Sequence, residues 1–440
     1  MNFRDTMKIN DVGHLEIGGK DTVELAKEYG TPLYVMDESY IRRVIRAYKS
    51  TIESAYGHGN LAYASKAFSS MAIYSVMKSE GVNIDVVSGG EIYTALKAGF
   101  DIKNAYFHGN NKLISEIELA MDNGIGVIVV DNIEDISIID AIANEKDIVQ
   151  DVIIRTNPGV EAHTHSYIQT AKVDSKFGFS ISNDDAITAV KAAIAAKNVR
   201  LRGLHCHIGS QIFDKHAFVV AVDVMTDFIV EIKKELNYDI DELNMGGGFG
   251  VHYTDEDPRY TIEEYCNYVK IIVNALNDAI ETKRIKKPYL MIEPGRSVVA
   301  EAGITLYTVG TVKDIRGIRK YINIDGGMGD NIRPALYEAK YEAINSTRAN
   351  ENPVEKVSIA GKCCESGDVI IKDVLMPKTV RGDIIAVFTT GAYGYSMASN
   401  YNRNPIPAVV LVNDGKSDII VKRESYDDII RNDVIPPRLK

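Results

Sequence analysis

The fold class is decided by the stretch from Glu242 to Gly250, which reads ELNMGGGFG. It is a short apolar run that ends in a glycine-rich loop, and six similar runs precede it along the chain. An open doubly wound sheet usually carries its glycine fingerprint after the first strand. The late position of this glycine loop therefore favours a closed barrel over that alternative.

Seven further apolar runs lie before or after this stretch in the sequence, and each is followed by polar or glycine residues. Helical apolar spacing over 217–236 and 261–282 predicts that helices alternate with the strands. Eight such units in about 240 residues are typical of a (β/α)8, TIM-type barrel, which we expect over 39–296. The predicted strands are 61–64, 84–87, 105–107, 126–130, 152–155, 201–207, 242–245 and 289–292.

The pattern changes after Arg296, where short β-rich runs separated by turn residues predict a second, mostly β domain without regular helices. The strand-like segment 31–36 is expected to join it. This β-sandwich or barrel-like domain is therefore predicted to be discontinuous, comprising 1–38 plus 297–440. Its predicted runs are 298–312, 320–324, 369–374, 383–388 and 408–412.

Charge and composition exclude several classes of function. The 50 basic and 61 acidic side chains give a net charge of −11, without a long basic run. Nucleic acid and anionic membranes both require a positive surface, so neither is an expected partner. The absence of an 18-residue apolar stretch or a signal-like start, together with only four cysteines, predicts a cytoplasmic protein with reduced thiols.

A barrel places its chemistry at the carboxyl ends of the strands. Lys66 follows the first strand, and a lysine amine in such a pocket can form a Schiff base. Gly247 and Gly248 follow the seventh strand, where barrels often bind phosphate, and Ser210 could add a hydroxyl group. A lysine and a phosphate site on one rim together suggest pyridoxal phosphate.

His205 and His207 are two residues apart on a predicted strand and would face the same side. They could be paired zinc ligands, but no third ligand has a recognisable spacing, so a metal site is not expected. The neighbouring Ile208-Gly209-Ser210 favours a His207 ring stacked on a flat cofactor. His205 is expected to be hydrogen-bonded inside the barrel.

Six motifs resemble those of the fold-type III pyridoxal-phosphate-dependent amino-acid decarboxylases. They are Tyr63 to Ala67, His205 to Gln211, Gly246 to Gly250, Glu293 to Arg296, Cys364 to Asp368 and Gly391 to Met397. The resemblance runs in order from about Thr31 to Val412. It implies a carboxy-lyase whose active site is shared by two subunits, with the Cys364 loop reaching into the partner's barrel.

The resemblance also implies a role for each matching residue. Lys66 would hold the cofactor covalently, and His207 would stack on its ring. Glu293 would face the ring nitrogen and keep it protonated, which favours decarboxylation over racemisation. The phosphate would be held by Ser210, Gly247, Gly248 and Tyr393, with Pro294, Gly295 and Arg296 also lining the cofactor, and Asp85 and Glu91 as nearby carboxylates.

Cys364 matches the family's proton donor, which would protonate the substrate's Cα after loss of carbon dioxide. An ordinary thiol, with a pKa of about 8.5, is mostly protonated at neutral pH and can donate. The neighbouring Cys363 has no assigned role and is expected to pack.

Substrate choice is expected to follow charge. The predicted substrate-binding residues are Arg296, Arg333, Tyr337, Glu365 and Tyr393. The two arginines could bind a distal carboxylate, and Glu365 a distal ammonium group. This set favours meso-diaminopimelate, which would yield L-lysine, over ornithine. One departure is noted: Tyr341 stands where the family pattern led us to expect a histidine.

Three alternatives remain at this point. The first is a non-catalytic relative, although Lys66 and Cys364 are both present. The second is a decarboxylase of the same family acting on ornithine, arginine or carboxynorspermidine. The third is a metal-dependent barrel hydrolase, which the two histidines alone would allow.

Overall fold

The computed structural model describes Phe3, residues 5–160 and residues 175–440 of the 440-residue chain. The chain divides into two compact units. One consists of Arg42–Val251 and Pro258–Val298, and the other of Met1–Ile41, His252–Asp257 and Val299–Lys440. Among the described residues, no helix combines the length and the apolar character needed to cross a membrane.

The N-terminal region begins with a small antiparallel sheet. Its elements are β1 (Lys8–Ile9), β2 (Leu15–Ile17), β3 (Lys20–Asp21), α1 (Thr22–Tyr29), β4 (Leu33–Asp37) and α2 (Glu38–Ala55). Asp21 caps α1, because its side chain accepts the backbone N–H groups of Val23 and Glu24.

Eight parallel strands form a closed barrel within the described residues. The strands are β5 (Gly59–Ala64), β6 (Asn83–Val86), β7 (Ala105–Phe107), β8 (Val127–Val130), β9 (Gln150–Asn157), then β11 (Val199–Cys206), β12 (Glu242–Asn244) and β13 (Tyr289–Ile292). Each pairs with the next, and β13 pairs with β5 to close the ring. The two-residue strand β10 (Phe179–Ser180) pairs with β9.

Helices follow the barrel strands and cover them. They are α3 (Met71–Glu80), α4 (Gly89–Lys97), α5 (Ile114–Asp122), α6 (Ile133–Glu145), α7 (Asp185–Ala195), α8 (His216–Leu236) and α9 (Ile262–Lys283). The strands are apolar along their length because each is buried on both faces, as parallel sheets require. The buried cluster of Ala62, Tyr106, Val129, Ile153 and Met291 illustrates this core.

The second unit is mainly β-structure. The chain enters it at the last residue of α10 (Arg296–Val299), whose other residues belong to the barrel unit. Its further elements are β14 (Gly303–Ile315), β15 (Arg319–Ile324), α11 (Arg333–Tyr337), β16 (Ala343–Asn345), β17 (Glu355–Ala360), β18 (Val369–Met376), β19 (Ile384–Val387), β20 (Ala408–Asn413), β21 (Lys416–Val421) and α12 (Tyr426–Ile430). Its sheet has the order β18-β17-β15-β14-β4-β20-β21, and β19 joins β14 to β16.

The predicted fold class, a (β/α)8 barrel plus a mostly β domain, is confirmed. Segment 31–36 contributes β4, which pairs with β14 and β20. No regular helices were expected after Arg296, and two five-residue helices, α11 and α12, occur there. The predicted run 298–312 was also placed too early, since β14 begins at Gly303.

Candidate active site

Lys66 lies just beyond the end of β5, in a single turn of 3₁₀ helix formed by Ser65–Ala67. The Tyr63 hydroxyl donates to the carbonyl oxygen of Phe68 (2.8 Å) and so ties the turn back onto the strand. Lys66 is exposed at the rim, whereas the turn residues on either side of it are buried. The backbone of Lys66 is therefore held by the turn, whereas its side-chain amine is accessible.

Two carboxyl groups lie near Lys66. Asp85 is aligned with Ala64 across the β5–β6 pair and is 2% exposed. Burial raises the pKa of Asp85, opposed by the charges of His108 and Lys66. Burial also raises the pKa of Glu91 to about 7, although that side chain accepts the Val87 N–H (2.7 Å). Glu91 can therefore exchange a proton near neutral pH, and burial favours the neutral form of Asp85.

The glycine loop after β12 is shaped by close backbone contacts. A Cβ atom on Gly247 would lie 2.1 Å from the carbonyl oxygen of Glu293. One on Gly248, whose φ is +98°, would lie 2.1 Å from the carbonyl oxygen of Gly209. Only glycine fits either position, so this loop can bring its backbone close to a ligand.

Arg296 and Ser210 meet beside this loop, since the Arg296 Nη2 donates to the Ser210 Oγ (3.0 Å). The Gly247 N–H instead donates to His207 Nδ1 (3.3 Å). Burial, with the positive charges of Lys66 and Arg155, holds the pKa of His207 well below its usual range. The His207 ring is therefore neutral, which suits stacking on a flat ring.

Glu293 follows β13 and accepts hydrogen bonds from three buried side chains. Its Oε1 accepts from His108 Nε2 (2.8 Å) and Asn244 Nδ2 (2.7 Å), and its Oε2 accepts from His205 Nε2 (3.0 Å). Burial alone would raise the pKa of Glu293, but the two histidines outweigh it and hold that pKa well below its usual range. Glu293 is therefore an ionised carboxylate.

These residues fit the group that the sequence predicted. A phosphate would meet the glycine loop and the Arg296–Ser210 pair, a ring would meet His207, and Glu293 is a fixed negative charge. The features belong to one barrel and follow the ends of its strands. The rim therefore suits a flat, phosphorylated cofactor with a basic ring nitrogen.

The pairing of His205 with His207 as metal ligands is not observed. β11 ends at Cys206, so His207 lies beyond the strand and need not share a face with His205. The partner of His205 is instead His108, at 4.9 Å between ring centroids, and both contact Glu293. The expectation that His205 is hydrogen-bonded inside the barrel agrees with this contact.

In the other unit, Arg333 is buried between two tyrosines. Its Nη1 donates to the hydroxyls of Tyr253 (3.0 Å) and Tyr341 (2.5 Å), and both rings lie within 6 Å of the guanidinium. Among the residues that the structure describes, no carboxylate forms an ion pair with Arg333. Tyr341, where a histidine was expected, thus contacts a predicted substrate residue directly.

Hydrogen bonds from its backbone N–H groups hold the Cys364 loop in place. Cys364 is exposed and donates its N–H to Asn402 Oδ1 (2.8 Å). Asp368, which is 3% exposed, accepts the N–H groups of Cys363 (2.8 Å) and Met328 (2.7 Å). Burial and the charge of Asp368 raise the pKa of Cys363 to about 11, so this thiol stays protonated.

The remaining predicted residues also lie in the second unit. Tyr337 ends α11 and is partly buried, and Glu365 is exposed beside Cys364. Tyr393 has a φ of +59° and lies in the turn after Ala392.

The chain matches known proteins over its whole length. Residues 40–300 match the family described as "Pyridoxal-dependent decarboxylase, pyridoxal binding domain". A diaminopimelate decarboxylase from Bacillus methanolicus is 50% identical over 424 residues, or 96% of this chain and 98% of that protein. The chain belongs to the diaminopimelate decarboxylase family.

Further relatives agree with this assignment. The diaminopimelate decarboxylase of Bacillus subtilis is 48% identical and covers 99% of this chain and 98% of its own. A crystal structure of the M. jannaschii diaminopimelate decarboxylase in complex with L-lysine has a TM-score of 0.91 at 38% identity, covering 99% of both chains. The expected family and its pyridoxal cofactor are thus confirmed.

Three polar residues at the rim of the barrel were not predicted from the sequence as functional. Arg155 and Asn244 lie within the predicted strands 152–155 and 242–245 and His108 directly follows the strand 105–107, but none of the three was given a role. Arg155 lies 3.6 Å from the Asp131 carboxylate and stacks on Phe177 (4.5 Å). Their common signal is a polar side chain at the carboxyl end of an apolar strand.

Proposed function

We propose that the chain decarboxylates meso-2,6-diaminopimelate to L-lysine and carbon dioxide with pyridoxal phosphate as its cofactor, the last step of lysine biosynthesis. The observation that carries this proposal is the match to diaminopimelate decarboxylases at 46–50% identity over 96% or more of the chain. Two solved relatives, from M. jannaschii and Helicobacter pylori, are complexes with L-lysine.

The barrel rim supplies the groups that hold the cofactor. Lys66 provides the amine for the covalent link, and Arg296 with Ser210 binds the phosphate beside Gly247 and Gly248. Pro294, Gly295 and Tyr393 complete the proposed cofactor contacts. When bound, pyridoxal phosphate supplies the electron sink that accepts the electron pair left by departing carbon dioxide.

Two residues set the state of the cofactor ring. Glu293, whose pKa is held well below its usual range, would stabilise a proton on the ring nitrogen by its negative charge. The neutral His207 ring would pack against the cofactor's face and exclude water from it. The charge of Lys66 acts on both Asp85 and Glu91, whose pKa values burial raises, and these two carboxyl groups are the proposed proton-exchange partners of its amine.

Cys364 delivers the proton from its Sγ to the substrate's Cα. The backbone contact with Asn402 and the Asp368 clamp on the neighbouring residue hold the loop that carries it. Cys363, with its raised pKa, is not assigned a catalytic role.

Arg333 binds the substrate's distal carboxylate, with Arg296, Tyr337 and Tyr393 assisting. A buried guanidinium without a carboxylate partner in the described chain is well suited to take an anion from a ligand. Glu365, exposed beside Cys364, takes the distal ammonium group.

We also propose a cytoplasmic homodimer with shared active sites, in which the Cys364 loop serves the partner's barrel. The four cysteines are free, as expected in a reducing compartment. The expected result of sedimentation analysis is a dimer, and a protein that is monomeric and fully active would contradict the shared site.

The experiment for the reaction is a spectrum and a substrate test. Purified protein loaded with pyridoxal phosphate should be yellow, with a visible imine band that Lys66→Ala abolishes. It should release carbon dioxide from meso-diaminopimelate. A protein that cannot be loaded with pyridoxal phosphate would overturn the proposal, and faster turnover of ornithine at equal concentration would overturn the assigned substrate.

A further inference from the structure

We propose that His108, His205 and Asn244 are positioning residues, which hold a buried carboxylate in one orientation and in its ionised form for the cofactor ring. The carboxylate is Glu293. The inference rests on the proposed function, because it assigns Glu293 to the ring nitrogen. It adds a role for three side chains that do not touch the substrate.

The geometry joins three neighbouring strands of the barrel, β11, β12 and β13, with β7, which is separated from them by two strands on either side. His108 follows β7, while His205 on β11 is aligned with Asn244 on β12, which is itself aligned with Met291, two residues before Glu293. The three donors lie 2.7–3.0 Å from the carboxylate oxygens, and all four side chains are at most 6% exposed. Both oxygens of Glu293 are held, so the carboxylate plane cannot rotate without breaking a contact.

The proton positions follow from the chemistry of the partners. An ionised carboxylate can only accept hydrogen bonds, so each imidazole donates from Nε2 and the amide donates from Nδ2. Hydrogen bonds to the charged form stabilise it, whereas an unpaired buried carboxylate would take up a proton. Three donors therefore keep Glu293 ionised in a site where burial favours the neutral acid.

His205 does this without cancelling the negative charge. Burial lowers the pKa of His205 to about 4, despite its contact with Glu293, so this imidazole is neutral at physiological pH. Its Nδ1 is buried and has no hydrogen-bond partner among the described residues. This environment suits a nitrogen that carries a lone pair better than one that carries a second N–H group. The charge of Glu293 thus remains available to stabilise a protonated ring nitrogen.

A metal ion is the competing occupant of this cluster. The ligand atoms of His108, His205 and Glu293 lie within 4.8 Å of one another. However, a metal-bound histidine usually donates its second ring N–H to a partner, and His205 Nδ1 has none in the described chain. Asn244 also already donates to one carboxylate oxygen. The structure therefore favours hydrogen bonds over metal coordination.

The test compares His205→Gln with His205→Leu. Glutamine can still donate an N–H group to Glu293, whereas leucine fills the space without a donor. Each variant is loaded with cofactor labelled with ¹⁵N at the ring nitrogen, whose chemical shift reports protonation. We expect wild type and His205→Gln to keep the ring nitrogen protonated. His205→Leu should lower the pH at which it deprotonates and weaken cofactor binding about tenfold or more, as for loss of a hydrogen bond to a charged group.

Three results would overturn the inference. The first is an unchanged ring-nitrogen titration and cofactor affinity in His205→Leu. The second is an equal loss in the glutamine and leucine variants. The third is stoichiometric zinc in purified wild type, with a chelator changing the ring-nitrogen shift. If His205→Leu does not fold, Asn244→Ala removes another donor and gives the same readout.

These results separate the inference from the proposed function. Cofactor affinity and ring protonation are measured without substrate, so they stand even if carbon dioxide is not released from diaminopimelate. Conversely, a wild-type enzyme that decarboxylates diaminopimelate while His205→Leu behaves normally would retain the proposed function and refute the positioning role.

Discussion

Gly247→Ala is the substitution whose effect the structure specifies best. The added Cβ would lie 2.1 Å from the Glu293 carbonyl oxygen, which is backbone and cannot rotate away. An ordinary contact requires about 3.4 Å, so the glycine loop and the Glu293 backbone must separate by more than 1 Å. That movement also strains the hydrogen bond from the Glu293 N–H to the Gly246 carbonyl oxygen (2.7 Å) and the contact of Gly247 with His207.

The expected magnitude follows from two general results. Overpacking a rigid site costs about 1–3 kcal/mol, and a 1 Å displacement of a reactive group can cost about 100-fold in rate. We therefore expect pyridoxal phosphate to bind Gly247→Ala about 10- to 100-fold more weakly than wild type. The assay is titration of the cofactor-free protein, followed by the visible band and by protection against thermal unfolding.

Gly90→Ala is the matched control. Gly90 lies in the first turn of α4, where the nearest atom to an added Cβ would be 3.7 Å away. Alanine should be tolerated there and slightly stabilise the helix. The reasoning is refuted if Gly247→Ala binds the cofactor within twofold of wild type, or if the control loses affinity to the same extent.

Three further predictions concern other parts of the site. Because the pKa of His205 is lowered to about 4 from an ordinary 6.5, its contribution to stability is fully present above pH 6.5 and is lost as the pH falls through 4. The loss in the free energy of unfolding should approach roughly 3 kcal/mol. As the pH falls over this range, the thermal unfolding midpoint of wild type should therefore decrease more steeply than that of His205→Gln. Parallel plots of midpoint against pH for the two proteins would contradict the assignment. Cys364→Ala should slow carbon dioxide release by about 100-fold or more while cofactor titration is unchanged, and an undiminished rate would exclude the thiol as proton donor. Arg333→Gln should raise the KM for diaminopimelate about 10-fold or more, as for loss of a charged hydrogen-bonded pair, with a smaller rise in Tyr341→Phe; an unaltered KM in Arg333→Gln would place the distal carboxylate elsewhere.

The barrel could be predicted from sequence because its strands are buried on both faces and appear as uninterrupted apolar runs. The run Val127–Val130 is an example, and each of the eight predicted runs overlaps an observed strand. The functional rim followed from the same pattern, since Glu293 directly follows such a run and Lys66 lies two residues beyond another.

Two strands of the β unit were harder to predict, β21 at an edge of the sheet and β17 between β15 and β18. β17 and β21 read EKVSIA and KSDIIV, in which charged and apolar side chains mix, because such strands are partly exposed. Neither was predicted. Burial on only one side leaves a weak signal in a single sequence.

The contacts around Glu293 could not be predicted, because they depend on strand register. His108, His205 and Asn244 are up to 136 residues apart in the chain and meet only when the barrel closes. The sequence paired His205 with His207 because both seemed to lie on one strand. The end of β11 at Cys206 removes that premise.

Carbon dioxide release from a substrate panel tests the central claim most directly. The protein loaded with pyridoxal phosphate is given meso-diaminopimelate, ornithine, arginine or lysine at equal concentration, and both carbon dioxide and the amino-acid product are measured. We expect the fastest release from meso-diaminopimelate, with L-lysine formed in equal amount. Faster release from ornithine or arginine, or no release from diaminopimelate, would contradict it.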